Sequence, residues 1–200
     1  MSGVLVVLSG PSGVGKDTLI DAWSKRNPRV CRVVTYTTRE PRTGETDGVS
    51  YHFVDRETFF ELAKNNRFFE HKNVFEDDWY ASPRDEAERL VESGMVAILK
   101  IDVEGALEVM KERPDALTVF ILPPSREELE RRIRSRARDD VAAIEQRLSK
   151  AQRELSYARR YAYRIVNDDP ERAVDRLESM LAEFEGLESA RADDRPRGVR

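Results

Sequence analysis

Residues Gly10 to Thr18 read Gly-Pro-Ser-Gly-Val-Gly-Lys-Asp-Thr, directly after the apolar run Val4-Leu5-Val6-Val7-Leu8. The spacing G-x-x-x-x-G-K is that of a loop that wraps phosphates. Gly10, Gly13 and Gly15 open backbone angles closed to other residues, so successive N–H groups can curl round an anion. A helix starting near Lys16 adds its positive end, and the Lys16 ammonium can reach the β- and γ-phosphates. The whole stretch (Gly10, Pro11, Ser12, Gly13, Val14, Gly15, Lys16, Asp17 and Thr18) is expected to bind a nucleoside triphosphate. One position departs from the pattern. A hydroxyl normally follows the lysine and binds magnesium, an ion that stays mostly hydrated and takes few protein ligands. Here Asp17 follows, with Thr18 one step late.

A second group of residues suits another phosphate. Arg39 and Arg42 lie three apart in Thr35-Tyr36-Thr37-Thr38-Arg39-Glu40-Pro41-Arg42-Thr43-Gly44-Glu45, followed by Gly48-Val49-Ser50-Tyr51. Two guanidinium groups can grip a phosphate dianion through paired hydrogen bonds, and Tyr51 and Tyr80 can add neutral hydroxyl donors. The same residues are also compatible with a solvated Arg-rich loop. Glu70, taken alone, reads as a solvated acid at a strand end. Arg131, Arg132, Arg134, Arg136 and Arg138 form a charge run that Glu127, Glu128 and Glu130 can partly pair. His52 and His71 are the only histidines, and no His, Cys or Asp grouping has metal-ligand spacing. His52 is expected on a strand face, and Trp23 and Trp79 are expected to pack.

Strands must position these groups. The β-branched run at 4–9 predicts a buried strand, and 16–26 a helix stopped by Asn27-Pro28. Short strands are expected at 32–36, 51–54 and 68–70, and a helix at 57–65 capped by Asp55. Residues 37–50, rich in Thr, Arg, Gly and Pro, read as a functional loop. Ser82, Pro83 and Asp85 predict a helix start with Ser82 as N-cap, running to Gly94. Residues 95–101 and 117–122 are apolar strands of a sheet buried on both faces, with a helix at 102–112 between them. Ser125 and Glu128 predict a capping box. A long helix at 141–160, a strand at 163–166 and a helix at 170–184 complete the pattern. Alternating strands and helices opened by a phosphate loop predict a three-layer α/β fold with a parallel sheet, interrupted by an insertion. The division expected is one domain over 1–186: a core of 1–32, 95–124 and 161–186, an insertion at 33–94, and an Arg-rich lid at 125–160. Residues 187–200 read as a disordered tail.

Two hundred residues allow a sizeable core, with 40% hydrophobic and 36% charged residues. The net charge of -4 supplies no global positive field, which argues against a nucleic-acid binder. Cys31 is the only cysteine, so no disulfide framework is expected; it reads as a core thiol. No apolar run approaches the roughly 18 residues of a membrane span, and residues 1–8 do not form a signal peptide, so a cytoplasmic protein is expected.

Taken together, the phosphate loop, Thr-Thr-Arg-x-Pro-Arg-x-Gly-Glu, Gly-x-x-Tyr, Phe-Phe-Glu, Tyr-x-Ser, Ile-Asp-x-x-Gly-Ala, the Arg-rich segment and Val-Asn-Asp make the chain resemble the guanylate kinase family over residues 4 to about 185. The resemblance implies a P-loop NTPase fold and transfer of a phosphoryl group from ATP to GMP. It implies that Arg39, Arg42, Tyr51 and Tyr80 hold the GMP phosphate, and that Thr35, Glu70 and Asp102, with Ser82, surround guanine. It makes Lys16, Arg39, Arg136 and Arg147 the catalytic cations, the latter two closing over the phosphoryl group. The chemistry agrees. Guanine carries adjacent N1–H and N2–H donors that one carboxylate accepts, whereas adenine would leave Glu70 unsatisfied. The acceptor phosphate has its second pKa near 6, so no general base is required. Alignment and charge neutralisation by Lys16, magnesium and arginines carry the reaction. The partners implied are ATP and GMP, with neither nucleic acid nor membrane, acting on a monomer or homodimer.

Three positions break the family pattern: Asp17, Lys100 in place of the first acid of Asp-x-Asp, and Ala81 beside Tyr80. Either Asp17 supplies the missing carboxylate to magnesium, with Thr18, or Asp17 and Lys100 pair directly. The Gly-Lys-Asp ending also resembles ribose 1,5-bisphosphate phosphokinase, the alternative enzyme. A non-catalytic binding module is the alternative of another class, against which the intact Gly13, Gly15 and Lys16 argue.

Overall fold

Val4–Ser9 (β1) is buried at every residue, and its alternation builds both halves of the core. Val4, Val6 and Leu8 point to one side of the sheet; Leu5 and Val7 point to the other. Burying such side chains contributes about 1.5–3 kcal/mol each, so a strand apolar on both faces belongs at the centre of a covered sheet. The computed structural model describes residues 3–75, 77–136 and 141–193. It places β1 in the middle of a five-stranded parallel sheet of order β2-β7-β1-β8-β9. The other strands are Val30–Arg32 (β2), Val96–Lys100 (β7), Leu117–Leu122 (β8) and Tyr163–Val166 (β9).

Helices cover both faces. Lys16–Arg26 (α1) and Pro170–Asp193 (α7) pack on the side of Val4, Val6 and Leu8, with Trp23 and Leu177 fully buried between them. Trp23 Nε1 donates to Glu178 Oε1 at 2.6 Å, so this buried indole has its partner. Arg84–Glu92 (α3) and Val103–Glu112 (α4) cover the opposite face through Ala87, Val103, Ala106 and Val109. The three-layer α/β expectation therefore holds.

A second sheet rises from residues 36–83. Its order is β4-β3-β6-β5, formed by Tyr36–Thr37 (β3), His52–Phe53 (β4), Phe68–Phe75 (β5) and Asp78–Pro83 (β6). Arg56–Lys64 (α2) closes it over Phe59, Phe68 and Ala81. Arg126–Arg136 (α5) and Val141–Ser156 (α6) follow β8; Leu129, Ile133, Leu148 and Ala151 join the core of the large sheet. No helix among the described residues is long and apolar enough to cross a membrane.

Several sequence expectations need correction. The strand expected at 32–36 is two strands in different sheets, because the chain leaves the large sheet after Arg32 and enters the small one at Tyr36. Ser82 does not cap α3. Ser82 and Pro83 stay in β6, Pro83 occupies the N-cap position, and the Ser82 hydroxyl is committed to Glu70. The helix expected through residue 160 ends at Ser156 and tightens into a 3-10 turn over Tyr157–Arg160. The last helix runs to Asp193, so residues 187–193 are helical; residues 194–200 lie outside the described residues. Cys31 is half-buried rather than in the core, since β2 is an edge strand with one open side.

Candidate active site

The phosphate loop leaves β1 at the C-terminal edge of the parallel sheet, where strand ends and helix starts converge and where ligands of such sheets bind. Gly15 holds φ +96°, and a Cβ there would fall 2.6 Å from Asn167 Nδ2. Only glycine fits, because this φ strains any side chain and Asn167 fills the space beside it. Asn167 Nδ2 donates to the Val14 carbonyl at 2.9 Å, and Arg132 Nη1 of α5 donates to the same oxygen at 3.3 Å. These bonds fix the loop from outside. Lys16 Nζ folds back onto the Gly10 and Pro11 carbonyls at 2.6 and 3.1 Å. Burial pulls its pKa down to about 8, against the pull of Glu154.

Glu154 is a site residue that the sequence reading missed. It sits on α6, is buried, and accepts from the Ser12 backbone N–H at 3.4 Å. A carboxylate thus lies against an N–H of the anion-binding loop. Burial raises its pKa, with Lys150 opposing. No local motif marks it; only the docking of α6 onto the loop brings it there.

Facing the loop across a cleft of about 360 Å³ are Thr35, Tyr51, Glu70, Tyr80, Ser82 and Asp102. Gly10, Ser12, Gly13, Gly15, Lys16, Asp17 and Thr18 line the same cleft. Glu70 Oε1 accepts from the Ser82 hydroxyl at 2.6 Å. Its other oxygen looks onto Gly105, where a Cβ would approach Oε2 to 2.8 Å. The glycine of Ile-Asp-x-x-Gly-Ala therefore makes room for this carboxylate. Burial raises the Glu70 pKa to about 7, Ser82 opposing and Asp102 adding to the rise.

Asp102 lines the cleft with both oxygens engaged. Oδ1 accepts from the Gly105 N–H at 3.0 Å and caps α4, while Oδ2 meets Lys72 Nζ at 2.8 Å. Lys72 also pairs with Glu104. Lys72 is a second residue that sequence reasoning passed over; its alternation on β5 alone does not reveal that it faces the cleft.

The Arg-rich segment is organised from within. Arg39 Nη2 donates to both carboxylate oxygens of Glu45 at 2.8 and 2.9 Å, and Nε to the Tyr80 hydroxyl at 3.2 Å. Its guanidinium lies 5.4 Å from the Tyr51 ring centre. Tyr51 and Tyr80 meet edge to face at 5.8 Å. Thr37 and Thr38 spend their hydroxyls on the Arg39 and Trp79 backbone N–H groups and so shape the loop. Arg39, Arg42 and Arg147 are not among the residues lining the cleft. Arg42 is exposed beside Glu45, its backbone N–H donating to Glu45 Oε2 at 2.8 Å. Arg147 is exposed on α6. The Arg136 side chain and all of Arg138 lie outside the described residues. Arg131 and Arg132 pair with Glu128, and Arg134 with Glu130, as expected for a charge run.

Of the two alternatives at Asp17, direct pairing is what the structure holds. Asp17 Oδ1 lies 2.5 Å from Lys100 Nζ and 3.2 Å from Arg32 Nη1. These residues do not fit a divalent cation held by Asp17 and Thr18. Such an ion would share a carboxylate already paired with two cations and would face Lys16 as well. Among the described residues no group of three or more His, Cys, Asp or Glu is placed to hold a metal.

The cleft has a phosphate loop on one wall and a recessed carboxylate and two tyrosines on the other, with Arg39 bonded to Tyr80 behind that wall. The family model described as guanylate kinase matches residues 2–184. A guanylate kinase of Alkalilimnicola ehrlichii is 43% identical over 181 residues, spanning 90% of this chain and 89% of that protein. One from a Nostoc species is 44% identical over 181 residues, spanning 90% of each. The solved structure of guanylate kinase from Anaplasma phagocytophilum superposes with a TM-score of 0.71 at 37% identity, covering 91% of this chain and 86% of that one. Both walls of the cleft fall inside the matched span, and by that agreement of sequence, fold and site the chain belongs to the guanylate kinase family.

Proposed function

We propose that this chain transfers the terminal phosphoryl group of ATP to GMP, giving ADP and GDP. The observation that carries the reading is the pairing of two walls in one cleft. Gly10, Gly13, Gly15 and Lys16 offer a triphosphate its donors, and Glu70, fixed by Ser82, offers guanine a two-oxygen acceptor. In this reading Tyr51, Tyr80, Arg39 and Arg42 hold the GMP phosphate. Thr35 and Ser82 border the base, while Asp102 shapes the pocket through Lys72 and the cap of α4. Lys16, Arg39, Arg136 and Arg147 neutralise the phosphates as they meet. Magnesium would enter with ATP and would supply further charge neutralisation at the phosphates. A ribose 1,5-bisphosphate acceptor has no N–H pair for Glu70, and no observation favours it.

Release of ADP from ATP with GMP, dGMP, AMP, UMP and ribose 1,5-bisphosphate tests the assignment. Turnover with the guanine nucleotides is expected. Turnover only with ribose 1,5-bisphosphate would overturn it.

A further inference from the structure

Lys100 ends β7 beside the point where β1 turns into the phosphate loop; Leu8 and Lys100 are register partners across the two parallel strands. Its side chain is 20% exposed, whereas that of its partner Asp17 is 64% exposed. The pair is therefore asymmetric. Both line the cleft with Lys16 and Asp102, the acid as the more exposed and the ammonium as the more buried of the two. Arg32, the last residue of β2, shares the same Asp17 oxygen and lines the same cleft. One carboxylate thus serves two cations, and Lys16 beside them has Glu154 as its acid, so three cations meet two carboxylates at the loop; Asp21, one turn further along α1, is exposed. A partly buried lysine facing a single solvated acid gains little from that acid as a brace. The surplus positive charge at the loop is suited to a polyanion.

We propose that Lys100 is a substrate-contacting residue that binds the terminal phosphates of ATP, supplying from the protein the positive charge that a protein-held divalent cation would otherwise bring to the Asp17 side of the loop. Asp17 is the partner that Lys100 holds in the free protein and exchanges for phosphate. The proposal rests on the reading of this cleft as the ATP site, and it explains why Asp17 and Lys100 depart from the family pattern together: an acid beside the loop lysine holds a cation that comes from the chain itself.

Calorimetric titration of ATP into the full-length protein, once with EDTA and once with excess magnesium, tests it. Wild-type Kd is expected to differ by no more than about threefold between the two conditions. Lys100→Met is expected to weaken metal-free binding by about tenfold or more, the loss of one charge-assisted contact. Lys100→Arg is expected to retain most of it. Asp17→Asn, which removes a negative charge and releases the ammonium, is expected to tighten metal-free binding. A melting curve for each variant establishes folding, and Lys100→Gln, expected to weaken metal-free binding as Lys100→Met does, carries the test if Lys100→Met unfolds. Equal weakening by Lys100→Met and Asp17→Asn would identify a mere brace and overturn the proposal. So would a wild-type Kd that rises about tenfold or more without magnesium. Turnover with GMP is scored separately on the wild type. Its absence alongside the expected binding pattern would overturn the GMP acceptor and still support the role of Lys100.

Discussion

The hydroxyl of Ser82 donates to Glu70 Oε1 at 2.6 Å across the β5–β6 ladder, where the two residues are register partners. The bond orients a carboxylate recessed in the cleft, and Gly105 leaves open the space beside its second oxygen. Ser82 is 2% exposed, so its hydroxyl has few competing partners and holds the acid in one orientation.

Guanine N1–H and N2–H need the ionised form of Glu70, whose pKa is raised to about 7 by burial. Below that pH the free protein holds the acid protonated, and the acceptor pair is lost. The value of kcat/KM for GMP is therefore expected to rise with pH through about 7. Glu70→Gln should remove that limb and lower kcat/KM by about 100-fold, leaving only the limb near pH 6 that belongs to the GMP phosphate. Steady-state pH profiles of the two proteins check this.

Lys16 gives the opposite limb. Its pKa is lowered to about 8 by burial, so the ammonium loses its charge as pH rises through that value. The value of kcat/KM for ATP is expected to fall above about 8, while the GMP limb near 7 stays in place. Profiles taken separately for each substrate distinguish the two groups. Lys16→Met should abolish turnover without unfolding the protein, as a melting curve would show.

Two glycines separate the halves of the cleft. Gly15→Ala places a Cβ 2.6 Å from Asn167 Nδ2 at a positive φ, so ATP binding should be lost while GMP binding persists. Gly105→Ala displaces the Glu70 carboxylate, so KM for GMP should rise about tenfold while Kd for ATP hardly changes. Titration of each variant with each nucleotide tests this. A Gly105→Ala protein that loses ATP and keeps GMP would place Glu70 on the wrong half of the cleft.

The small sheet depends on one aromatic centre. Phe59 is fully buried against Phe68 and Trp79, with ring centres 5.1 and 6.3 Å away. Phe59→Ala is expected to cost about 3–5 kcal/mol. Urea unfolding should show the loss, and KM for GMP should rise because β5 and β6 carry Glu70, Tyr80 and Ser82.

The chain declares its large sheet openly. The runs at Val4–Ser9, Val96–Lys100 and Leu117–Leu122 are apolar on both faces, a pattern that few environments other than a covered parallel sheet tolerate. Gly10 to Lys16 is legible because phosphate wrapping demands glycine at fixed spacing. The small sheet is harder to read, since β3 and β4 are two residues long and no periodicity survives at that length. Ser82 and Pro83 look like a helix start because local capping chemistry competes with a tertiary partner, and Glu70 wins the hydroxyl. Glu154 and Lys72 reach the cleft only through the docking of α6 and through the Asp102 ion pair, contacts between residues far apart in sequence. At Asp17 the sequence offers two readings, and the Lys100 side chain lies where the direct pair requires it.

Discrimination between GMP and AMP tests the account most directly, since it rests on Glu70 fixed by Ser82. The ratio of kcat/KM values, measured by ADP release at one ATP concentration, is expected to favour GMP by about 10⁴-fold, because a carboxylate built to accept two N–H donors is left unsatisfied by adenine. A ratio near one, or in favour of AMP, would contradict it.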